Sequence, residues 1–353
     1  DGNGVSNFSL AGSFLTTEQN NVNPSDITVT VNQASQNGSE IESIDSVRYY
    51  APKIYSAQSR AVTSRDYEAI IKTIYPDTES VAVVGGEEMT PPQFGTVNIS
   101  IKPKNGTFVS DFNKSRILSQ LKQYTVSGIN QRITDLKILY VEIDSAVYYD
   151  FSRISTVETL RTRVLDTLKT YANSLEINKF GGRFRYSKIQ QIIDNTNTAI
   201  TSNITKVRIR RDLKAVVNQF AQYELCYGNQ FHVNSKGYNI KSTGFRIATD
   251  PDVVYMTDIP NPDGRTGILS IVKPIDSTTT RVVVKSAGTI DYIKGEINVN
   301  TIKITSTEKE NNIIEVQAFP ESNDVVGLKD LYLNFNIPAS SINMVKDVIA
   351  SGD

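Results

Sequence analysis

The sequence has little of the chemistry from which most enzymes are built. It contains one cysteine, Cys226, and one histidine, His232, in 353 residues. A single cysteine excludes an intramolecular disulfide and a multi-cysteine metal site, and a single histidine excludes multi-histidine zinc centres. The two stand close enough in sequence for a nucleophile pair, but no third orienting group accompanies them, so Cys226 reads as a small buried apolar side chain. An excess of one charge is also missing: 37 Lys and Arg against 38 Asp and Glu leave a net charge of -1. Binding carried by the nucleic-acid phosphate backbone needs a large local surplus of basic residues, so that class is excluded as the main role. No apolar run is long enough to span a bilayer, and no basic start followed by an apolar stretch marks a signal peptide. The three methionines are Met89, Met256 and Met344 and the first residue is Asp1, so the sequence reads as a piece lacking its start.

What is present is apolar surface, at 39% of residues, enough for two or three domains. Residues 1–38 are rich in Gly, Ser, Asn and Thr with one alternating piece, Ile27–Val31, and read as the edge of an upstream domain. Residues 39–150 then read as an α+β domain. Ser39 with Glu42 and Thr63 with Asp66 have the spacing of capping boxes that open two short helices. In the second, Tyr67, Ile70, Ile71 and Ile74 recur at helical spacing, and Tyr75-Pro76 ends it. The β-branched runs Ser80–Val84 and Gly95–Ile101 form a hairpin around the loop Gly85–Pro92. Ser110 opens a third helix with Ile117, Leu118, Leu121 and Tyr124 on one face, and Leu136–Tyr149 is a long strand. The order α-β-β-α-β predicts a ferredoxin-like unit.

Residues 151–229 read as a second α+β unit with the longest helix, about Ser155–Ile177. It opens on a Ser155/Glu158 capping box and carries Val157, Leu160, Val164, Leu168, Tyr171 and Leu175 in one stripe. That stripe suits a core or a helix-helix seam, and Leu168 and Leu175 are the candidate self-association residues. A short helix from Ser187 and a strand pair, Ile204–Arg211 with Val216–Tyr227, follow. Lys206, Arg208 and Arg210 alternate on a strand face opposite Val207 and Ile209. From residue 230 to 353, short β-rich runs between turn signals predict a small all-β domain, with a terminal helix near Pro338–Ala350. The expected fold class is therefore α+β: ferredoxin-like α/β sandwich modules in series, followed by a small all-β C-terminal domain.

Candidate catalytic and metal sites are weak. The Gly85-Gly86-Glu87-Glu88 loop lacks the spacing of a phosphate-binding loop, and adjacent glutamates do not face each other across a glycosidic bond. The acidic stretch Asp258–Gly264 fails the EF-hand count and reads as a turn. A glycan hydrolase would need two facing carboxylates, and a glycan-binding module would present an exposed aromatic patch near Tyr255 or Tyr292. Neither is favoured by a residue pattern, and no cofactor, metal or small-molecule substrate is expected.

One stretch carries a resemblance. The combination Ile44, Arg48, Ala51, Pro52, then Arg60, Ala61, Val62, Thr63, Asp66, Tyr67 and Glu68 resembles the signature of the baseplate J-like family of contractile phage tails. The resemblance makes Arg48, Pro52, Arg60, Thr63, Asp66 and Tyr67 structural family-motif positions and implies a non-enzymatic virion protein of the tail baseplate. It further implies a homodimer that binds other wedge and hub-proximal proteins, assembles in the host bacterial cytoplasm, and forms a ring around the hub through baseplate rearrangement and sheath contraction. The long helix or the C-terminal β domain is the expected self-association element.

Overall fold

A computed structural model describes residues 44–89, 91–174, 177–276 and 279–347. Ile27–Val31, the Ser39/Glu42 box and Leu175 lie outside them. The chain divides into two compact units, residues 1–135 and 136–353.

The first unit contains α1 (Ile44–Ala57), α2 (Ser64–Ile74), β1 (Thr78–Gly85), β2 (Thr96–Pro103), α3 (Asp111–Leu121) and β3 (Asn130–Thr134). The Thr63/Asp66 box is formed in both directions. Ser110 caps α3, its hydroxyl accepting from the Asn113 N–H at 3.4 Å. In the sheet, β2 pairs antiparallel with β1 and parallel with β3, a parallel step that requires the α3 crossover. Tyr67, Ile70 and Ile71 of α2 bury against Ile99 and Ile101 of β2 and Ile117 of α3, each contributing about 1.5–3 kcal/mol by leaving water.

The second unit is organised around β4 (Lys137–Tyr149). After it come α4 (Val157–Ala172), β5 (Lys179–Phe180), β6 (Arg183–Phe184), α5 (Tyr186–Asp194), β7 (Ile200–Lys214), β8 (Phe220–Cys226), β9 (Lys241–Ser242), β10 (Phe245–Ile247), β11 (Asp250–Pro260) and β12 (Thr266–Pro274). The remainder is β13 (Thr280–Asp291), β14 (Glu296–Thr307), β15 (Ile313–Ala318), β16 (Val325–Val326), β17 (Leu331–Phe335) and β18 (Ser341–Lys346). Along one edge β4 pairs antiparallel with β7. Along the other it pairs in parallel first with β17 and then with β18, so the end of the chain closes the sheet that β4 begins. Beyond β7 the sheet continues through β15 and β9 to β11. There β10, β14, β13, β12 and β11 pair in that order and β11 returns to β10, which closes a barrel.

These pairings overturn the expected fold class. Among the described residues strand, at 44%, outweighs helix, at 23%, and the chain contains a closed β-barrel in place of ferredoxin-like α/β sandwiches in series. The third strand of the first unit is Asn130–Thr134, whereas Leu136–Tyr149 supplies the axis of the second. β7 and β8 are not partners of each other: β7 lies between β4 and β15, and β8 pairs with β14. The expected terminal helix is the strand β18. Its lead-in is fixed by Ser340, whose hydroxyl accepts from the Ile143 N–H at 3.1 Å and donates to the Asn336 carbonyl at 2.8 Å. α4 starts after Thr156 without a side-chain cap, and Glu158 pairs with Arg161 at 3.8 Å instead of closing a Ser155 box. α5 takes its cap from far along the chain, the Tyr186 N–H donating to Asp324 Oδ1 at 2.7 Å.

Candidate assembly surfaces

The motif residues build the α1–α2 hairpin. At 100° per residue, Tyr50, Lys53 and Ala57 fall on the side of α1 that meets α2. Lys72 sits 3.6 Å over the Tyr50 ring, and Lys53 lies 3.7 Å from Glu68. The helix ends on Gln58 and Ser59, both with positive φ, a turn that reverses the chain at a local cost of about 1–2 kcal/mol per residue. Arg60 reaches Gln58 Oε1 at 3.5 Å, and the Ala61 N–H donates to the Tyr124 carbonyl at 2.7 Å. Asp66 accepts from the Thr63 N–H at 2.8 Å. Burial pushes its carboxyl upward, but the bonds from Thr63 and Val62 outweigh that and hold it below the usual carboxylate range. Arg48 and Pro52 are exposed on α1, where proline removes one helical N–H.

About a third of a turn around the helix from that side, α1 is apolar and open to solvent. Ile44, Val47, Ala51 and Ile54 follow a 3-4-3 spacing with Tyr55 beside them. Ile44 is 72% exposed, Val47 44%, Ile54 47% and Tyr55 86%. That spacing is the seam pattern by which helices pair. The candidate stripe on α4 lies elsewhere: Leu168 is fully buried with Leu160 and Val164 in the core of the second unit.

The alternating strand face carries more than solvated charge. Val207 and Ile209 are buried, as the alternation requires, while Arg208 and Arg210 converge on Glu142, whose side chain is 5% exposed. The distances are 3.0 Å from Arg208 and 3.1 Å from Arg210. Arg210 also pairs with Glu315, stands 3.7 Å from Asp212 and lies 4.3 Å over the Tyr140 ring. Arg208 donates to the Ala339 carbonyl at 3.0 Å, and Lys309 lies 3.2 Å from Glu315. Burial raises the Asp212 carboxyl. Glu142, Arg208, Arg210, Lys309 and Glu315, with Lys241, Ser242, Thr243 and Gln317, line a cleft of about 300 Å³, with Asp212 and Tyr140 beside Arg210 and outside the lining. Lys206 stays exposed. Arg211, on the core side, was not foreseen. It is 7% exposed and donates to the Cys226 carbonyl, and desolvation lowers its pKa.

The enzyme-like residues are not assembled into a site. Burial, followed by Glu296 and Glu224, pushes the Cys226 thiol up to about 11, and His232 instead faces Glu321 at 2.9 Å. Asp258 is buried in β11, accepting from the Ile240 N–H and the Tyr292 hydroxyl, each at 2.7 Å. Tyr292 is thus fully buried rather than part of an exposed aromatic patch. Asp263 accepts from the N–H groups of Arg265 and Thr266 and holds the turn. Glu87 and Glu88 sit exposed on a single 3-10 turn. Among the described residues no group of three or more His, Cys, Asp or Glu is placed to hold a metal ion.

A two-unit scaffold with a helix seam left exposed among the described residues and interlocked charges fits an assembly component. The comparisons agree: residues 63–134 match the family model of baseplate structural protein gp6, C-terminal domain I, and residues 137–212 match C-terminal domain III. The junction between the two matches falls at the junction between the two units. Both matched models describe a structural protein of the bacteriophage tail baseplate. More particularly, the chain is similar to the baseplate wedge protein gp6 of Enterobacteria phage T4, with 23% identity over 366 residues. The match covers 94% of this chain and 54% of that protein, so the chain spans about half the length of its relative. The recognition made from the Ile44–Glu68 signature is thereby supported as a baseplate wedge protein of a T-even-type phage.

Proposed function

We propose that the chain is a non-catalytic subunit of the baseplate wedge that self-associates and binds other wedge proteins, assembling in the host cytoplasm into a ring around the hub. The ring holds together while the baseplate rearranges and the sheath contracts. The observation that carries this reading is the α1 seam: Ile44, Val47, Ala51 and Ile54 in 3-4-3 order, with Tyr55, exposed on one helix face. The proposed occupant is α1 of a second copy, because an uncharged Ile/Val/Ala/Tyr face is self-complementary in a two-fold dimer. Paired helices of this kind gain stability mainly by apolar burial. The part of the sequence-read J-like region 39–150 that falls in the first unit presents the seam.

The test is the molar mass of the chain by light scattering over a concentration series, alone and with purified wedge proteins. A dimer that grows into a defined larger species is expected. A persistent monomer indifferent to those proteins would overturn the reading.

A further inference from the structure

We propose that the cleft beside Glu142 and Arg210 is a receptor for a carboxylate side chain on an acidic segment of a partner protein. The inference rests on the assembly reading for the nature of the partner, and on the cleft's own chemistry for the ligand. The cleft wall carries four cationic heads, Arg208, Arg210, Lys241 and Lys309, against Glu142 and Glu315. With Asp212, which lies 3.7 Å from Arg210, counted among the acids, a surplus of one positive charge remains. The two arginines are fixed by Glu142, and Lys309 shares Glu315 with Arg210. Lys241 has no carboxylate within ion-pair distance among the described residues.

The hydroxyls add direction. Ser242 Oγ accepts from the Met256 N–H at 2.8 Å, and Thr243 Oγ1 accepts from the Glu315 N–H at 3.0 Å. A hydroxyl whose lone pair is taken by a backbone N–H still has its own O–H to donate. Ser242 and Thr243 line the cleft together with Lys241 and Lys309, so hydroxyl-bearing and ammonium-bearing residues share the wall against which an anion would sit. A single surplus charge suits a monoanionic carboxylate. A phosphate dianion would meet the Glu142 and Glu315 carboxylates in the same wall, and a nucleic-acid strand needs a far larger basic surplus.

The experiment is fluorescence anisotropy of a labelled, end-blocked hexaglutamate peptide with the full chain at low ionic strength, with hexaglutamine and inorganic phosphate as competitors. The expected result is saturable binding that hexaglutamine does not compete away, weakened at least about tenfold in Lys241→Gln/Lys309→Gln, the charge-assisted contacts being each worth roughly a factor of ten or more. Lys206→Gln, on the same strand face but outside the cleft, should leave affinity unchanged. Equal loss in Lys206→Gln, undiminished binding in the double variant, no binding by the native chain, or displacement by phosphate at lower concentration than by free peptide would each overturn the proposal. Thermal unfolding confirms that the double variant is folded. A chain that assembles normally but ignores hexaglutamate refutes this inference alone, whereas one that binds the peptide yet stays monomeric refutes the assembly reading alone.

Discussion

Leu168→Ala separates the two uses of the α4 stripe. Leu168 is fully buried between Val164 and Ala172 on the face of α4 that lies against α5 and β18. Removing three carbons forfeits about 2–2.5 kcal/mol of transfer free energy at roughly 0.8 kcal/mol per methylene, and a poorly collapsing cavity brings the loss to about 3–4 kcal/mol. For a unit the size of residues 136–353, each kcal/mol moves the midpoint by about 2–4 °C, so Tm of that unit should fall by roughly 10 °C. Differential scanning calorimetry measures the midpoint, and light scattering on the same samples reports mass. The reasoning is refuted if the variant melts with the parent but loses self-association, because that would make the stripe an intermolecular seam.

Further consequences follow from the same contacts. Glu142→Ala removes the partner shared by Arg208 and Arg210. Because Arg210 keeps Glu315 and Arg208 is partly exposed, the loss should be about 2–3 kcal/mol, below that of a fully isolated buried charge, and read from urea midpoints. Thr63→Ala removes the hydroxyl half of the α2 cap and should cost about 1 kcal/mol. The Asp66 half is pH-dependent. Its carboxyl is depressed in the fold, so its stabilisation is present above the ordinary value of 3.8 and is lost as pH falls through that value and below. Asp66→Asn should therefore flatten the acid limb of the stability curve for the first unit, and an unchanged limb would count against the box. Cys226, with its thiol raised to about 11, should alkylate with iodoacetamide at pH 8 at least tenfold more slowly than free cysteine.

Local signals in the sequence translated directly into structure. Thr63 with Asp66, Ser110, the Tyr67–Ile74 face and the Lys206–Arg210 alternation each depend on residues within one or two turns or strand steps of each other, and each is found where the spacing puts it. What failed depended on distance along the chain. Leu136–Tyr149 has the alternation of a strand, but its partners β17 and β18 lie about two hundred residues later, and nothing local says which sheet it joins. Ser341–Lys346 has no decisive propensity and becomes a strand because the open edge of β4 receives it. The capping residue of α5, Asp324, is remote for the same reason. The ferredoxin-like reading assigned β4 to the preceding helix pair, and that one assignment displaced the whole fold class. Arg211 broke the strand pattern openly, as a charge at a core-facing position. That irregularity is the signal by which it could have been found. The exposure of the α1 seam is half legible: the 3-4-3 row of Ile44, Val47, Ala51 and Ile54 is a local spacing, whereas which face of α1 stays open depends on where α2 packs.

The most direct measurement is light scattering of Ile54→Asp/Tyr55→Asp beside the parent chain over the same concentration series, with calorimetry as the folding control. Both side chains are exposed, so the variant should melt with the parent but remain monomeric where the parent dimerises, and should fail to join other wedge proteins. A variant that dimerises and assembles like the parent would contradict assembly through the α1 seam.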